Sequence, residues 1–595
     1  MNGIQKINGY HIYNSVVSGY ENLLTQKQHL NDINVFPVAD GDTGNNMVAT
    51  ISMTLQISPV SQSLCETLFA LADKALSAAR GNSGIILAQF INELARECPP
   101  QESVSFKEFG GALARAAAVT EKALEDPREG TLLTILKVWT AEIDRLVKMG
   151  GSLCEHFIAS LEAAQAALKE TTNQLEVLKK AKVVDAGASG FVVFLEGIAR
   201  MLLTGKVFWE HPAQILSNED IDEVMHDPPE SSDQIPHRYC AEALLLTRQI
   251  PEDDLRRKLS KLGDSLIISH GRNKTKIHIH TNHPSDLFFE LKEYGQIVEQ
   301  KVDDMVRQYN AIHHPVSSIA IVTDSIADIP RELIDRYQIH VIPLKIIWGD
   351  NEYLDRLTLD TSAFYPYLDS RKEYPGSSVP SPLSVSQFFT WLAPHYQSII
   401  AIPVGKQLSG TWQVMKNAVE PLRKKGDAVT VIDSRLNSAA QGLVVLSAAE
   451  DAANGLSYES IIQRTEERIH NARILVSVAT FKYMVRGGRV SALKGAIATL
   501  AHLKPIITLD ADGKGVAYGA SLSQSGSIKK IMAGLKKAQG TIHRYVVVHA
   551  AVPEAAKHFA EEAESILGYP PEYCMEISPI VGIHAGIGAV AVAWI

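Results

Sequence analysis

Apolar positions recur every three or four residues through 64–79, 106–123 and 158–167, with helix-forming residues between them. That spacing predicts amphipathic helices, so 1–204 reads as an all-α unit. From 205 to 235 the pattern loosens into acidic, Pro- and Ser-containing sequence, including Asp227-Pro-Pro-Glu-Ser-Ser-Asp233, and a linker is expected. Alternation takes over in Lys276-Ile-His-Ile-His-Thr-Asn282, which predicts a strand with His278 and His280 on one face and Ile277 and Ile279 on the other. It belongs to a middle unit, 236–310, read as α+β. A second break at 311–318 contains His313, His314 and Pro315. Beyond it, strand patterns at 319–322, 341–347, 429–433, 474–478 and 546–549 alternate with helical ones such as 332–337, predicting an α/β unit over 319–595.

Composition supports several cores. The chain has 595 residues, of which 46% are hydrophobic, enough for more than one folded unit. A formal charge of −10 gives no general electrostatic pull toward nucleic acid, so no nucleic-acid partner is expected. Cys65, Cys98, Cys154, Cys240 and Cys574 are sparse and odd in number, unlike a secreted disulfide framework. A cytoplasmic setting is expected, without a secretory segment or a membrane span, and with transient membrane contact left open.

The densest chemistry lies in Asn34-Val-Phe-Pro-Val-Ala-Asp-Gly-Asp-Thr-Gly-Asn-Asn46. Asp40 and Asp42 flank Gly41 and precede Thr43 and two amides, an oxygen-rich turn suited to a hard divalent cation shared with phosphate. Met47, Val48 and Ile51 follow in a helical pattern, placing the turn at a helix N-terminus where anions are stabilised. A surface Asp/Gly/Asn turn is the plain alternative. Gly81-Asn-Ser-Gly84 permits a second close backbone approach to an anion, and Asp185 beside Gly187 is a weaker signal that an ordinary helix-to-helix turn also explains. The sequence has no Gly-x-x-x-x-Gly-Lys-Ser/Thr loop. His278 and His280 make a zinc site if a third ligand meets them; an exposed polar strand is the alternative. Arg486-Gly-Gly-Arg489 adds a positive loop that a solubilising turn explains equally well.

Asp40-Gly-Asp42, Gly81-Asn-Ser-Gly-Ile-Ile-Leu87 and Val184-Asp-Ala-Gly187 together resemble the nucleotide-binding domain of dihydroxyacetone kinases and, more closely, the kinase subunit of bacterial fatty acid kinases. The resemblance implies an all-helical barrel binding ATP and magnesium at one end. It assigns magnesium to Asp40 and Asp42, and the nucleotide to Thr43, Asn45, Asn46, Asn82, Ser83 and Asp185. The glycerone kinases have another carboxylate just upstream of the pair; here Asn34 and Val35 stand there, leaving an amide oxygen at Asn34. Continued through Gly263-Asp-Ser-Leu-Ile267 and the histidine pair, the resemblance implies Cys240 as the distant thiolate partner of His278 and His280 at zinc. Water, Glu242 and His283 stay open as the fourth ligand.

In the last unit, Thr323-Asp-Ser325, Gly376-Ser-Ser-Val-Pro-Ser381, Leu408-Ser-Gly-Thr411, Asp433-Ser-Arg435, Arg486-Gly-Gly-Arg489 and Gly582-Ile-His-Ala-Gly586 resemble the DegV-like fatty-acid-binding family. The resemblance implies two α/β lobes around an acyl chain, with Ser377, Ser378 and His584 at its carboxylate, supported by Ser409 and Thr411. Arg486 and Arg489 are candidate phosphate contacts. Where the family commonly carries two serines, this chain has Gly405 and Lys406, so Lys406 either supplies a cation to the head group or points to solvent. The combination implies ATP-dependent phosphorylation of a fatty acid carboxylate, in a homodimer that passes acyl phosphate to a downstream acyltransferase. Lipid carriage with ATP sensing, and a kinase for a small metabolite such as dihydroxyacetone, are the alternatives.

Overall fold

Through residue 204 the chain of this computed structural model winds into helices α1 (Gly9–Thr25), α2 (Lys27–Asp32), α3 (Thr43–Thr54), α4 (Leu64–Ala78), α5 (Gly81–Glu97), α6 (Phe106–Ala123), α7 (Leu132–Val147), α8 (Leu153–Gln174), α9 (Glu176–Ala181) and α10 (Ala186–Thr204). The structure describes residues 6–36, 41–124, 127–204, 235–246, 250–271, 273–370, 373–488 and 503–595. The linker expected at 205–235 therefore lies almost wholly outside the described residues. Ser105 with Glu108, and Ser152 with Glu155, form capping boxes that start α6 and α8, so the helix expected at 158–167 begins earlier. Their apolar faces meet in a core that includes Leu23, Met47, Leu136, Trp139 and Phe191. Helix α10 is long and apolar enough to cross a membrane by length and composition, but 72% of that stretch is buried inside the protein. The all-α expectation needs one addition, an antiparallel pair of β1 (Lys6–Asn8) with β2 (Ser103–Ser105).

The middle segment folds as a four-stranded antiparallel sheet of β3 (Tyr239–Leu246), β4 (Gly263–His270), β5 (Lys274–Thr281) and β6 (Gln296–Asp304), in the order β4-β5-β3-β6. Its apolar face, with Ala241, Ala243, Ile277 and Ile279, is covered by Leu255 and Leu259 of α11 (Glu252–Leu259) and by Leu287 and Phe288 of α12 (Pro284–Leu291). The alternation read from the sequence thus puts isoleucines into the core and histidines on the opposite face. α13 (Met305–His313) follows.

Met1–Tyr309 make one compact unit and Asn310–Ile595 a second. Within the first, Ile267 of β4 packs among Ala75, Ala79, Ile85 and Ala88 of the helical segment. Asn92 donates to the His270 carbonyl at 2.7 Å, and Lys274 pairs with Asp73 at 3.2 Å. Burying a side chain such as Ile267 contributes about 1.5–3 kcal/mol, which ties the sheet to the helices.

The second unit carries a parallel sheet ordered Ala428–Val431, Ser398–Ala401, Ile319–Asp324, His340–Ile342, and a mixed six-stranded sheet ordered Gly515–Ser521, Lys504–Leu509, Arg473–Ser477, Val590–Trp594, Tyr545–His549, Cys574–Glu576. A small antiparallel sheet joins Asn351–Leu354, Lys345–Trp348 and Gly376–Ser378. The strand expected at 341–347 is therefore two strands in different sheets. Pro343 offers no N–H and interrupts the ladder between them.

Candidate functional site

Two helix N-termini are drawn together by small residues. Asp42 N-caps α3, and its carbonyl accepts from the Asn46 amide at 2.8 Å. Gly44 allows α3 to lie against α2, since a Cβ there would fall 2.1 Å from the Lys27 carbonyl oxygen. Gly81 opens α5 at φ +60°, and a Cβ would come 2.5 Å from Asn46 Nδ2. That combination of left-handed backbone and close approach admits glycine alone. Thr50 fastens the pair, donating to the Asn46 carbonyl at 2.7 Å and accepting from the Arg80 amide at 3.2 Å. The aligned peptide dipoles of α3 and α5 favour negative charge here. Asn82 Oδ1 is buried with no hydrogen-bond partner among the described residues, an oxygen left available to a ligand. This oxygen-rich cradle fits a hard divalent ion and phosphate, with Asp42 as the described carboxylate. Asp40 lies outside the described residues.

The polar face of the middle sheet forms the facing wall. Register sets His280 beside Cys240 and Cys240 beside Asp303 in one row, then His278 beside Glu242 and Glu242 beside Lys301 in the next. One ligand atom from each of Cys240, His278 and His280 lies within 4.8 Å of the others. Sulfur and nitrogen at about 2.3 and 2.0 Å from a tetrahedral zinc stand about 3.5 Å apart; Cys240 Sγ and His278 Nδ1 are 3.8 Å apart. His278 Nε2 is buried and unpartnered among the described residues. Burial, aided by His278 and His237, pushes the His280 imidazole down to about 3, leaving it in the neutral form that ligates metal. Burial and the Glu242 and Asp303 carboxylates push the Cys240 thiol well up; a bound cation reverses that preference by stabilising the thiolate. The residues fit zinc.

Glu242 is occupied otherwise. It pairs with Lys276 at 3.0 Å and accepts from the Gly81 amide at 3.1 Å. Burial opposes its ionisation, but Lys276, His278 and Lys301 hold its carboxyl well below the ordinary range. His283 N-caps α12 and is not part of this wall.

Both walls line one cleft, with Asn34, Asp42, Thr43, Asn46, Asn82 and Ser83 from the helical segment and Cys240, His278, His280, Lys301 and Asp303 from the sheet. Phe36, Gly81, Met305 and Gln308 complete it. Asn45 and Asp185 do not line it. The Asn45 amide donates to Asn31 Oδ1 at 3.1 Å, and Asp185 caps α10 by accepting from the Ala188 amide at 2.7 Å. Burial raises the Asp185 carboxyl to about 6. Asp185 thus acts from beneath, where it starts the helix whose Gly187 packs against Ser83; a Cβ at Gly187 would lie 2.4 Å from Ser83 Oγ. Sequence reading missed Lys301 and Asp303, whose alternation in Lys301-Val-Asp303 is the signal that marks a polar face.

In the second unit, Ser377 Oγ on Gly376–Ser378 meets His584 Nε2 on the helix Pro579–Ala585 at 3.4 Å. Buried carboxylates hold that helix by its N-terminus. Asp328 accepts from the Ser578 amide at 2.9 Å and Asp355 from the Ile580 amide at 3.1 Å, while Arg356 pairs with Asp328. Burial raises Asp355 to about 7. Gly487 sits against the imidazole, since a Cβ there would lie 2.4 Å from His584 Nδ1. Arg486 stacks over the Tyr374 ring at 4.3 Å. Ser378 Oγ lies 3.5 Å from the Val379 carbonyl, and Ser409 and Thr411 bond each other at 2.8 Å where Thr411–Lys425 begins. The Lys406 ammonium is 3.3 Å from Asp433 and half exposed. Arg489 lies outside the described residues.

Residues 37–200 match the DAK2 domain model, 236–312 the middle domain of fatty-acid-kinase-like proteins, and 318–595 the DegV family of uncharacterised proteins. Among curated proteins, an uncharacterized protein of Staphylococcus epidermidis is 31% identical over 318 residues, covering 52% of this chain and 57% of the relative. One from Staphylococcus aureus is 30% identical over 325 residues, covering 52% and 58%. The chain thus matches little more than half the length of these relatives. Among solved structures, DegV, a fatty acid binding protein from Bacillus subtilis, is 30% identical, covering 47% of this chain and 99% of that chain at a TM-score of 0.43. A fatty-acid-binding DegV family protein from Thermus thermophilus is 24% identical, covering 46% and 99% at 0.43. From N- to C-terminus, this chain contains a DAK2 domain, a fatty-acid-kinase-like middle domain and a DegV domain, the architecture of a fatty-acid-kinase-like fusion.

Proposed function

We propose that the protein transfers the γ-phosphoryl group of ATP to the carboxylate of a bound fatty acid, giving acyl phosphate and ADP. The observation that carries this reading is the cleft of the first unit, where Asp42 and two helix N-termini meet within one chain that also contains a DegV domain. Amides of α3 and α5 and the side chains of Thr43, Asn46, Asn82 and Ser83 bind and orient the phosphates. Asp42 and Asp40 would hold magnesium, which would supply charge neutralisation to the phosphates. Cys240, His278 and His280 would hold zinc, which would fasten the sheet wall of the cleft.

The acceptor needs no general base, because a carboxylic acid is already ionised near neutral pH. Ser377 and His584 orient its head group, with Arg486 at the rim. A carboxylate oxygen forms the new bond to phosphorus as the γ-phosphorus–oxygen bond breaks, and that bond's electron pair leaves on ADP. A homodimer and a downstream acyltransferase that takes the acyl phosphate belong to the same proposal. The test incubates the full chain with magnesium, labelled ATP and a panel of fatty acids, trapping acyl phosphate with hydroxylamine. Lipid hydroxamate is expected. Folded, ATP-bound protein that yields none across the panel would sink the reading.

A further inference from the structure

Among the described residues that line the first unit's cleft, Lys301 is the cationic one in its ordinary state at pH 7; the others are neutral or acidic. Every lining residue contributed by the helical segment is polar-neutral, apolar or, in Asp42, acidic. Magnesium leaves a bound triphosphate about two negative charges in excess, and phosphoryl transfer is accelerated by fixed positive charge at the γ-phosphate. The helical segment therefore supplies dipoles without a cation. The sheet supplies one.

Lys301 stands on β6 opposite Glu242, yet Glu242 already has Lys276 as its counter-ion at 3.0 Å. The Lys301 ammonium is paired directly with Asp303, two residues along on the same face, with Glu242 a more remote carboxylate, and its side chain is 40% exposed on the cleft side of the sheet. An ammonium held by a neighbouring carboxylate, with part of its surface open to a phosphate site, is the arrangement by which a lysine is aimed at a nucleotide without losing its charge.

We infer that Lys301 is a catalytic residue of this cleft, contacting the γ-phosphate of ATP, and that Asp303 is its positioning residue. The inference rests on the phosphoryl-transfer reading and adds a residue from the middle domain to it. Lys301 transfers no proton. Its ammonium stays charged while the acceptor oxygen bonds to phosphorus and the electron pair of the broken bond leaves on ADP.

The test compares the full chain with K301M, K301R and D303N. Calorimetry measures affinity for magnesium with a non-hydrolysable ATP analogue and, separately, with ADP; hydroxylamine trapping gives turnover. K301M is expected to weaken the analogue about tenfold or more while ADP affinity stays within about twofold, because the lost charged hydrogen bond reaches only the γ-phosphate. Turnover should fall about a hundredfold, and K301R should recover part of both. D303N should shift the analogue-to-ADP ratio in the same direction by less. Equal weakening of both nucleotides, or no change in either, overturns the inference; if K301M does not fold, an unchanged ratio in D303N does so. A wild-type chain that binds nucleotide but phosphorylates no fatty acid defeats the acceptor assignment alone, since the nucleotide ratio still decides Lys301. A wild-type chain that binds no nucleotide defeats both.

Discussion

Replacing Glu242 with Gln should destabilise the first unit by about 3–5 kcal/mol, because it strands a buried cation. The Glu242 and Lys276 side chains are 2% and 6% exposed and 3.0 Å apart, so solvent cannot take over the lost partner. The Gln amide oxygen still accepts from the Gly81 amide, which isolates the charge effect from the hydrogen bond that fastens α5 to β3. K276M should cost a similar amount, and E242Q/K276M about 1–3 kcal/mol less than the two together. Hydrogen exchange in peptides from β3, β5 and α5 of the full chain reads this unit separately. The pH dependence follows from the sign of the shift. Glu242 sits below its ordinary 4.5 in the fold, so its contribution is complete above that value and is lost as pH falls through the depressed one. The gap between wild type and E242Q should close in acid. A loss in E242Q under about 0.5 kcal/mol, or a double variant whose loss equals the sum, would refute the reasoning.

D42A should abolish phosphoryl transfer while fatty acid binding, measured by native mass spectrometry, is retained, because Asp42 and the Ser377–His584 pair belong to different units. Elemental analysis should find about one zinc per chain, lost in C240A or H278A/H280A with lower thermal stability of the first unit; a metal-free, fully stable wild type would contradict this. S377A and H584A should each weaken fatty acid binding about tenfold or more by removing a hydrogen bond to a charged head group. The second unit should lose stability as pH rises from 3.8 to about 7, since folded Asp355 retains its proton where the unfolded chain has released it, and D355N should flatten that slope in denaturant titrations.

Features that depend on neighbours along the chain were legible before the fold. Spacing of apolar residues placed α6 at Phe106–Ala123, and alternation put His278 and His280 on the face opposite Ile277 and Ile279. The turn at Asp42 was legible as a helix start because the apolar pattern of Met47, Val48 and Ile51 follows it at once, whereas Gly81 was legible as a close-approach glycine and its place at the start of α5 came from the fold. The place of Cys240 beside the histidine pair came only through resemblance, since no short-range pattern links it to a histidine 38 residues away. Tertiary structure decided the rest. Strand register brought Lys301 and Asp303 beside Glu242 and Cys240, and Glu242 crosses 161 residues to reach the Gly81 amide. Asp185 became a helix cap rather than a wall of the cleft, and Lys406 was drawn to Asp433. Such outcomes turn on which surfaces pack and which buried charges find partners, and those energies arise between segments whose order in the sequence does not encode their distance in space.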